Sequence, residues 1–299
     1  MTAVPPAGFP LHAFTVDVED WFQVSACEEA IPREEWDRVP SRVHLGLGRL
    51  LDLLERAEVR GTFFVLGWIA ERFPGLVAEI RRRGHELGCH SHEHRLVHGM
   101  APEEFRADLR RALDAIEAAA GVRPRLYRAP SFSIGRRNPW ALRVLAEEGI
   151  EIDSSLFPVR HDRYGVPGAP PGPWRPAEAG GRLVEMPPAT VGIGRFRLPC
   201  AGGGYLRLYP LALTVAAVRA IERAGRPAVV YVHPWELDPD QPPPPLGPVA
   251  RWRHRVGLGR TVRRVEVLLS RFRFASLGEV VERLGGRRLL PLVPLGGSA

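Results

Sequence analysis

The sequence contains no lysine, and all 41 of its basic residues are arginine. That excludes Schiff-base lysines, pyridoxal-phosphate attachment and the lysine of a Walker-type phosphate loop. Cysteine is also scarce. Cys27, Cys89 and Cys200 are widely separated and odd in number, which fits neither a disulfide framework nor a four-cysteine zinc module and points to a reducing compartment. No apolar run reaches the roughly 20 residues of a membrane-spanning helix. Residues 1–11 lack the basic start and long apolar stretch of a secretory leader. The expected location is the cytoplasm, with peripheral contact at the inner membrane face as an extension of that reading.

What is present is enough for a folded domain. With 45% hydrophobic residues in 299, the chain can bury a sizeable core as one large or two small domains. The net charge of +7 suits an anionic partner such as a membrane surface, nucleic acid or an acidic glycan, and does not choose among them. Zinc-finger spacing and ribonucleoprotein-type aromatic motifs are both missing, so no nucleic-acid partner is expected.

Strand-like and helix-like segments alternate along the chain. Residues 13–18 and 61–66 read as strands, and between them Leu47, Leu50, Leu51 and Leu54 recur at helical spacing. Helices follow over about 69–83, 102–119 and 139–148, with strands near 86–89, 126–128 and 150–153. Residues 158–181 are rich in proline and glycine and read as an irregular excursion. A helix near 211–224, an apolar strand at 228–232, a linker-like stretch at 239–248, a basic helix at 261–272 and a last helix at 277–284 complete the chain. Such alternation predicts a parallel sheet or barrel, with ligands at the carboxyl ends of the strands.

The densest chemistry lies in Gly84-His85-Glu86-Leu87-Gly88-Cys89-His90-Ser91-His92-Glu93-His94. Imidazoles are borderline ligands suited to zinc, and His90 and His94, four apart, would face the same way on one helical turn. The His-Glu-x-x-His spacing of a zincin fails, because Cys89 stands four places after His85 and Leu96 four after His92. A solvated histidine-rich loop is the alternative. Three further segments weigh against it. Thr15-Val16-Asp17-Val18-Glu19-Asp20 closes a strand with three carboxylates, enough for an anionic ligand and a separate proton acceptor. His233 stands at the exit of the 228–232 strand, on the same predicted face, where it would donate a proton. Arg128 leaves a strand into a turn fixed by Pro130, and would orient a carboxylate or form a structural salt bridge.

In this order the segments resemble the polysaccharide deacetylase superfamily, carbohydrate esterase family 4, also called the NodB-homology domain. The likeness runs from about Phe14 to His233, and its most specific part is His-Ser-x-x-His, met by His90, Ser91 and His94. The resemblance implies an α/β fold, a distorted (β/α) barrel with seven parallel strands, over residues 10–237. Residues 238–299 would form a C-terminal helical extension packed on the barrel. It implies a divalent metal, zinc by preference, on His90, His94 and an aspartate, with Arg128 holding the catalytic base and His233 protonating the leaving amine. Pro130, Phe132 and Trp235 would contact substrate.

The family usually shows two adjacent aspartates where this chain has Asp17-Val18-Glu19-Asp20. Asp17 is taken as the base and Asp20 as the ligand, with Glu19 the alternative to Asp20. The stretch Cys200-Ala201-Gly202-Gly203-Gly204-Tyr205 and the basic residues 251–273 resemble a subgroup found beside bacterial exopolysaccharide and protein-sorting loci. The activity implied is removal of N-acetyl groups from amino sugars of an acetylated glycan or its lipid-linked precursor. Hydrolysis of a small cyclic amide and non-catalytic glycan binding are the alternatives.

Overall fold

The computed structural model describes residues 10–161, 164–194 and 196–295. Most of the segment read as lacking a leader, residues 1–9, lies outside the described residues. The strands are β1 (His12–Val18), β2 (Thr62–Val65), β3 (Glu86–Cys89), β4 (Leu126–Tyr127), β5 (Ile152–Asp153), β6 (Arg175–Pro176), β7 (Val184–Glu185), β8 (Thr190–Ile193), β9 (Phe196–Pro199), β10 (Val229–Val232), β11 (Phe274–Ala275) and β12 (Leu292–Val293). The α-helices are α1 (Val43–Arg56), α2 (Gly67–Arg72), α3 (Pro74–Arg82), α4 (Pro102–Ala120), α5 (Trp140–Glu147), α6 (Gly203–Leu208), α7 (Leu211–Arg223), α8 (Pro248–Arg255), α9 (Thr261–Arg271) and α10 (Leu277–Arg283). None of these helices is long and apolar enough to cross a membrane.

Seven strands pair in parallel in the order β10-β1-β2-β3-β4-β5-β7, and β11 adds to the start of β1. The sheet curls, and the chain between β7 and β10 bridges its edges. The Ala189 N–H donates to Val229 O at 3.0 Å, and the Tyr231 N–H donates to Ala201 O at 3.2 Å. This is the distorted (β/α) barrel with seven parallel strands that the resemblance implied.

All seven residues of β1 are buried, as befits a parallel strand covered on both faces. The two-residue period of a strand divides them. Phe14, Val16 and Val18 join the large core beneath the surrounding helices, where the Leu47, Leu50, Leu51 and Leu54 face of α1 also packs. Ala13 belongs instead to a second cluster with Phe64, Leu126, Ile152, Val184 and Val229 from the other strands and Leu277, Val280 and Val281 from α10. That cluster fills the barrel interior at the amino ends of the strands, so Thr15 and Asp17 climb the same inner face toward the carboxyl ends.

Two details differ from the sequence reading. The helix expected over 69–83 is broken at Phe73, because Pro74 starts α3 and drives the residue before it out of helical geometry, to φ −131° and ψ 56°. The basic 261–272 helix, legible in the sequence only as basic, also turns one of its arginines inward. Arg264 is buried and donates to the carbonyls of Leu206 and Tyr209, both at 2.6 Å.

Candidate metal and hydrolytic centre

Asp17 stands at the carboxyl end of β1, and hydrogen bonding of the Glu19 N–H to Asp17 O at 3.0 Å tightens the exit so that Glu19 also reaches the site. His90 follows β3. The loop after it is pinned to the start of α2, with Gly67 and Trp68 N–H donating to the carbonyls of Ser91 and His92. His90 and His94 are therefore not on one helical turn as expected. They converge because Ser91 (φ 67°) and His94 (φ 54°) adopt left-handed backbone, a strained arrangement of the kind that collects at functional sites.

Glu19, His90 and His94 are all buried, and each offers a ligand atom within 4.8 Å of the others. Glu19 Oε2 lies 2.9 Å from His94 Nε2, and Glu19 Oε1 accepts a hydrogen bond from Trp235 Nε1 at 3.2 Å. His90 Nδ1 pairs with the Arg128 carbonyl at 2.7 Å, which holds the proton there and leaves Nε2 with a lone pair. Burial lowers His90 to about 4, so its imidazole is neutral, the form that binds a metal. Burial alone would raise Glu19, but His94 and His233 outweigh it and bring its carboxyl down to about 2. Glu19 Oε2 is buried, and apart from the His94 contact no hydrogen bond reaches it among the described residues. Two buried imidazoles, that of His90 neutral, beside an ionised carboxylate are a donor set that fits a divalent cation.

Asp20, expected as the ligand, is turned away from this cluster. Its Oδ1 accepts from Trp21 N–H at 2.9 Å, and its Oδ2 from Ser41 Oγ at 2.5 Å, Arg42 N–H at 2.9 Å and Val43 N–H at 3.2 Å. It caps the start of α1, and Glu19 stands with the histidines instead.

Arg128 is fully buried and aims its guanidinium across the barrel. Nη1 donates to Asp17 Oδ1 at 2.7 Å and to Thr15 Oγ1 at 2.8 Å, while Nη2 donates to Ser154 Oγ at 2.9 Å. On the other side of Asp17, His233 Nε2 is 3.8 Å from Oδ2 and 3.5 Å from Glu19 Oε1. The His233 side chain is 14% exposed where Asp17 is 4%, so the imidazole is the group that meets an incoming molecule. Burial alone would lower it, but the Glu236 and Glu19 carboxylates prevail and hold His233 at about 9.

The other histidines of the dense motif have structural duties. His85 accepts from Gly61 N–H in the core, and His92 faces Glu71 at 3.0 Å. Cys89 is buried and its thiol is pushed well up by desolvation, so it is no ligand. Trp235, expected to contact substrate, is buried. Its ring is stacked between His233 and His254, and its indole serves Glu19. Pro130 is likewise buried and starts the turn after Arg128. Phe132 packs with Phe157, Tyr164 and Tyr231, and lines a surface pocket with His98, Arg136 and His161.

Sequence reasoning missed Thr15, Ser154, Arg207 and Glu236, which surround the named residues. Only Glu236, three places after His233, left a signal in the sequence. It also missed Asp153 and Glu185, cross-strand neighbours inside the barrel. Burial raises Asp153 to about 6, and raises Glu185 further with Asp153 beside it. In the unfolded chain Asp153 releases its proton near 4. Between about 4 and 6 the folded state binds more protons, so this group's contribution to stability is lost as pH rises through that window. Asp153→Asn should remove the loss. Urea midpoints should move in the variant's favour between pH 4 and pH 7, and an offset independent of pH would refute the shift.

Residues 36–152 match the family described as polysaccharide deacetylase, and residues 154–282 match one described as a domain of unknown function (DUF3473). A peptidoglycan-N-acetylglucosamine deacetylase of Bacillus cereus is 33% identical over 82 residues, 27% of this chain and 30% of that protein. Chitin deacetylase 1 of Saccharomyces cerevisiae is 32% identical over 85 residues, 28% of each. The chain thus spans under a third of the length of these curated relatives. A crystal structure named as a polysaccharide deacetylase, from Mycobacterium smegmatis, aligns over 100% of this chain and 99% of that one, with 25% identity and a TM-score of 0.63. A sequence match that ends at residue 152 and a fold match that runs the length of the chain agree on one assignment: residues 36–152 carry a polysaccharide deacetylase domain, of the NodB-homology or carbohydrate esterase family 4 type.

Proposed function

We propose that the protein is a divalent-metal-dependent hydrolase that removes N-acetyl groups from amino sugars of a glycan or its lipid-linked precursor, releasing acetate and a free amine. The observation that carries this reading is the meeting of two sets of groups at one end of the barrel. Glu19, His90 and His94 cluster within 4.8 Å, and Asp17 lies between Arg128 and His233 beside them. The relatives named as deacetylases of peptidoglycan N-acetylglucosamine and of chitin support an amide of an amino sugar as the target.

Glu19, His90 and His94 would hold the cation. When bound there it supplies Lewis-acid polarisation of an acyl oxygen and acidification of a water molecule, and the two imidazoles favour zinc. Asp17 Oδ2, the oxygen not taken by Arg128, accepts the proton of the attacking water as its oxygen bonds to the acetyl carbon. Arg128 fixes Asp17 by its short contact to Oδ1 and keeps Oδ2 aimed at the opening. His233 Nε2 delivers a proton to the sugar nitrogen as the carbon–nitrogen bond breaks, so the amine leaves neutral. Asp17, Glu19, His90, His94 and Arg128 are all buried, which strengthens each of these contacts.

Elemental analysis of the purified protein together with an acetate-release assay, before and after chelation, tests the reading. About one equivalent of metal per chain and loss of turnover on its removal, restored by zinc, are expected. Undiminished acetate release from demonstrably metal-free protein would refute it.

A further inference from the structure

We propose that the chain segment after His233 is a buried clamp that sets the orientation of the catalytic imidazole, with Glu236 and Arg207 as positioning residues. The proposal rests on the reading of His233 as the proton donor. It gives a task to part of the region matched only as a domain of unknown function, residues 154–282.

Glu236 sits at the third position of the short turn Pro234–Leu237 and closes back on its start. Its Oε2 accepts from the His233 N–H at 2.9 Å and stands 2.9 Å from Nδ1 of the same residue. With Nδ1–H committed to this oxygen, the lone pair or second proton is confined to Nε2, the atom that faces Asp17 and Glu19. Glu236 is fully buried, and its other oxygen accepts from Arg207 Nε at 2.6 Å. Arg207 in turn donates from Nη1 to the carbonyls of His254 and Val256, both at 2.7 Å, at the carboxyl end of α8. Those are carbonyls a helix end leaves without partners. The clamp is therefore a chain of charged and polar contacts from α8 to the imidazole, with its two middle members, Glu236 and Arg207, both buried.

A second arm starts from the same helix end. The His254 ring stacks on Trp235 with centroids 4.4 Å apart and planes 11° from parallel, and the Trp235 indole donates to Glu19. Gln241 locks this arm by pairing with His254 Nε2 at 3.0 Å and donating to the Trp235 carbonyl at 2.8 Å. One helix terminus thus braces both the imidazole and the carboxylate next to the histidine pair. A buried Arg–Glu pair gives little net stability relative to apolar packing. Its persistence here is accounted for by the geometry it imposes on His233.

Glu236→Gln in the full-length protein isolates the claim, because the amide keeps the shape but cannot satisfy both neighbours. If its oxygen faces His233, its NH2 meets the Arg207 donors, and the reverse placement sets NH2 against the two His233 donors. The expected result is a fall in kcat of about 10- to 100-fold, the range seen when an outer partner of an active-site histidine is lost. KM should stay within about twofold and metal content should be unchanged. Nitrogen-15 histidine spectra recorded above about pH 9, where the His233 imidazole is neutral, should show it leaving the single Nδ1–H tautomer, and Glu236→Asp should recover part of both readouts. Arg207→Met should move both readouts in the same direction. A folded, metal-loaded Glu236→Gln protein with kcat within twofold of wild type and an unchanged tautomer would overturn the clamp. His233→Ala separates the two readings: wild-type turnover in that variant sinks His233 as the acid, while an inactive His233→Ala beside an unimpaired Glu236→Gln sinks the clamp alone.

Discussion

Glu19→Ala is expected to abolish both metal retention and acetate release, while Asp20→Ala keeps the metal and most of the activity but unfolds at lower denaturant. The two carboxylates are adjacent in sequence and both are buried, yet their surroundings are opposite. Glu19 Oε2 faces His94 Nε2 at 2.9 Å and has no other hydrogen-bond partner among the described residues. Removing it takes away the carboxylate that would share the cation with the histidine pair, and the polarising effect lost is several kcal/mol, a rate change on the order of 10³-fold or more. Asp20 accepts four hydrogen bonds, three of them from residues 41–43 at the start of α1. Its loss leaves those donors without a partner at a helix amino end, at about 1–3 kcal/mol. Elemental analysis and urea titration of the two variants side by side decide it. Metal loss in Asp20→Ala with retention in Glu19→Ala would reverse the assignment.

The second large effect concerns Asp17 and Arg128. Asp17→Asn is expected to lower kcat by about 10²- to 10⁴-fold, the usual worth of a positioned base, with the protein folded and metal-loaded. Arg128→Met should cost activity and also about 3–5 kcal/mol of stability, because it strands the buried Asp17 carboxylate and leaves Thr15 and Ser154 without their shared donor. The double variant should be less unstable than the sum of the singles, since removing the charge at Asp17 removes the reason for the arginine. Additive losses in chemical denaturation would show that Arg128 acts through packing, for instance its face-on contact with Phe64 at 4.3 Å, and not through Asp17.

The sequence by itself determined the alternation of strands and helices, and with it the end of the barrel that carries the chemistry. Hydrophobic periodicity is local, so the Leu47 to Leu54 face and the apolar run into His233 were legible without coordinates. So were the residue types of the site, because His90, Arg128 and His233 each follow a strand that the pattern marks and His94 lies in the same histidine-rich stretch as His90. What the sequence left open was which of three neighbouring carboxylates turns inward. A strand alternates faces every residue, but that rule ends where β1 ends, after Val18. Beyond it, the hydrogen bond from Glu19 N–H to Asp17 O and the demand of the α1 terminus for a cap send Glu19 to the histidines and Asp20 to the helix. The same holds for the histidine pair, which meets through left-handed backbone at Ser91 and His94 that no propensity favours. It holds too for Trp235, whose ring lies between two imidazoles 21 residues apart in sequence. These outcomes depend on partners brought from distant elements, and only the packed tertiary structure supplies them.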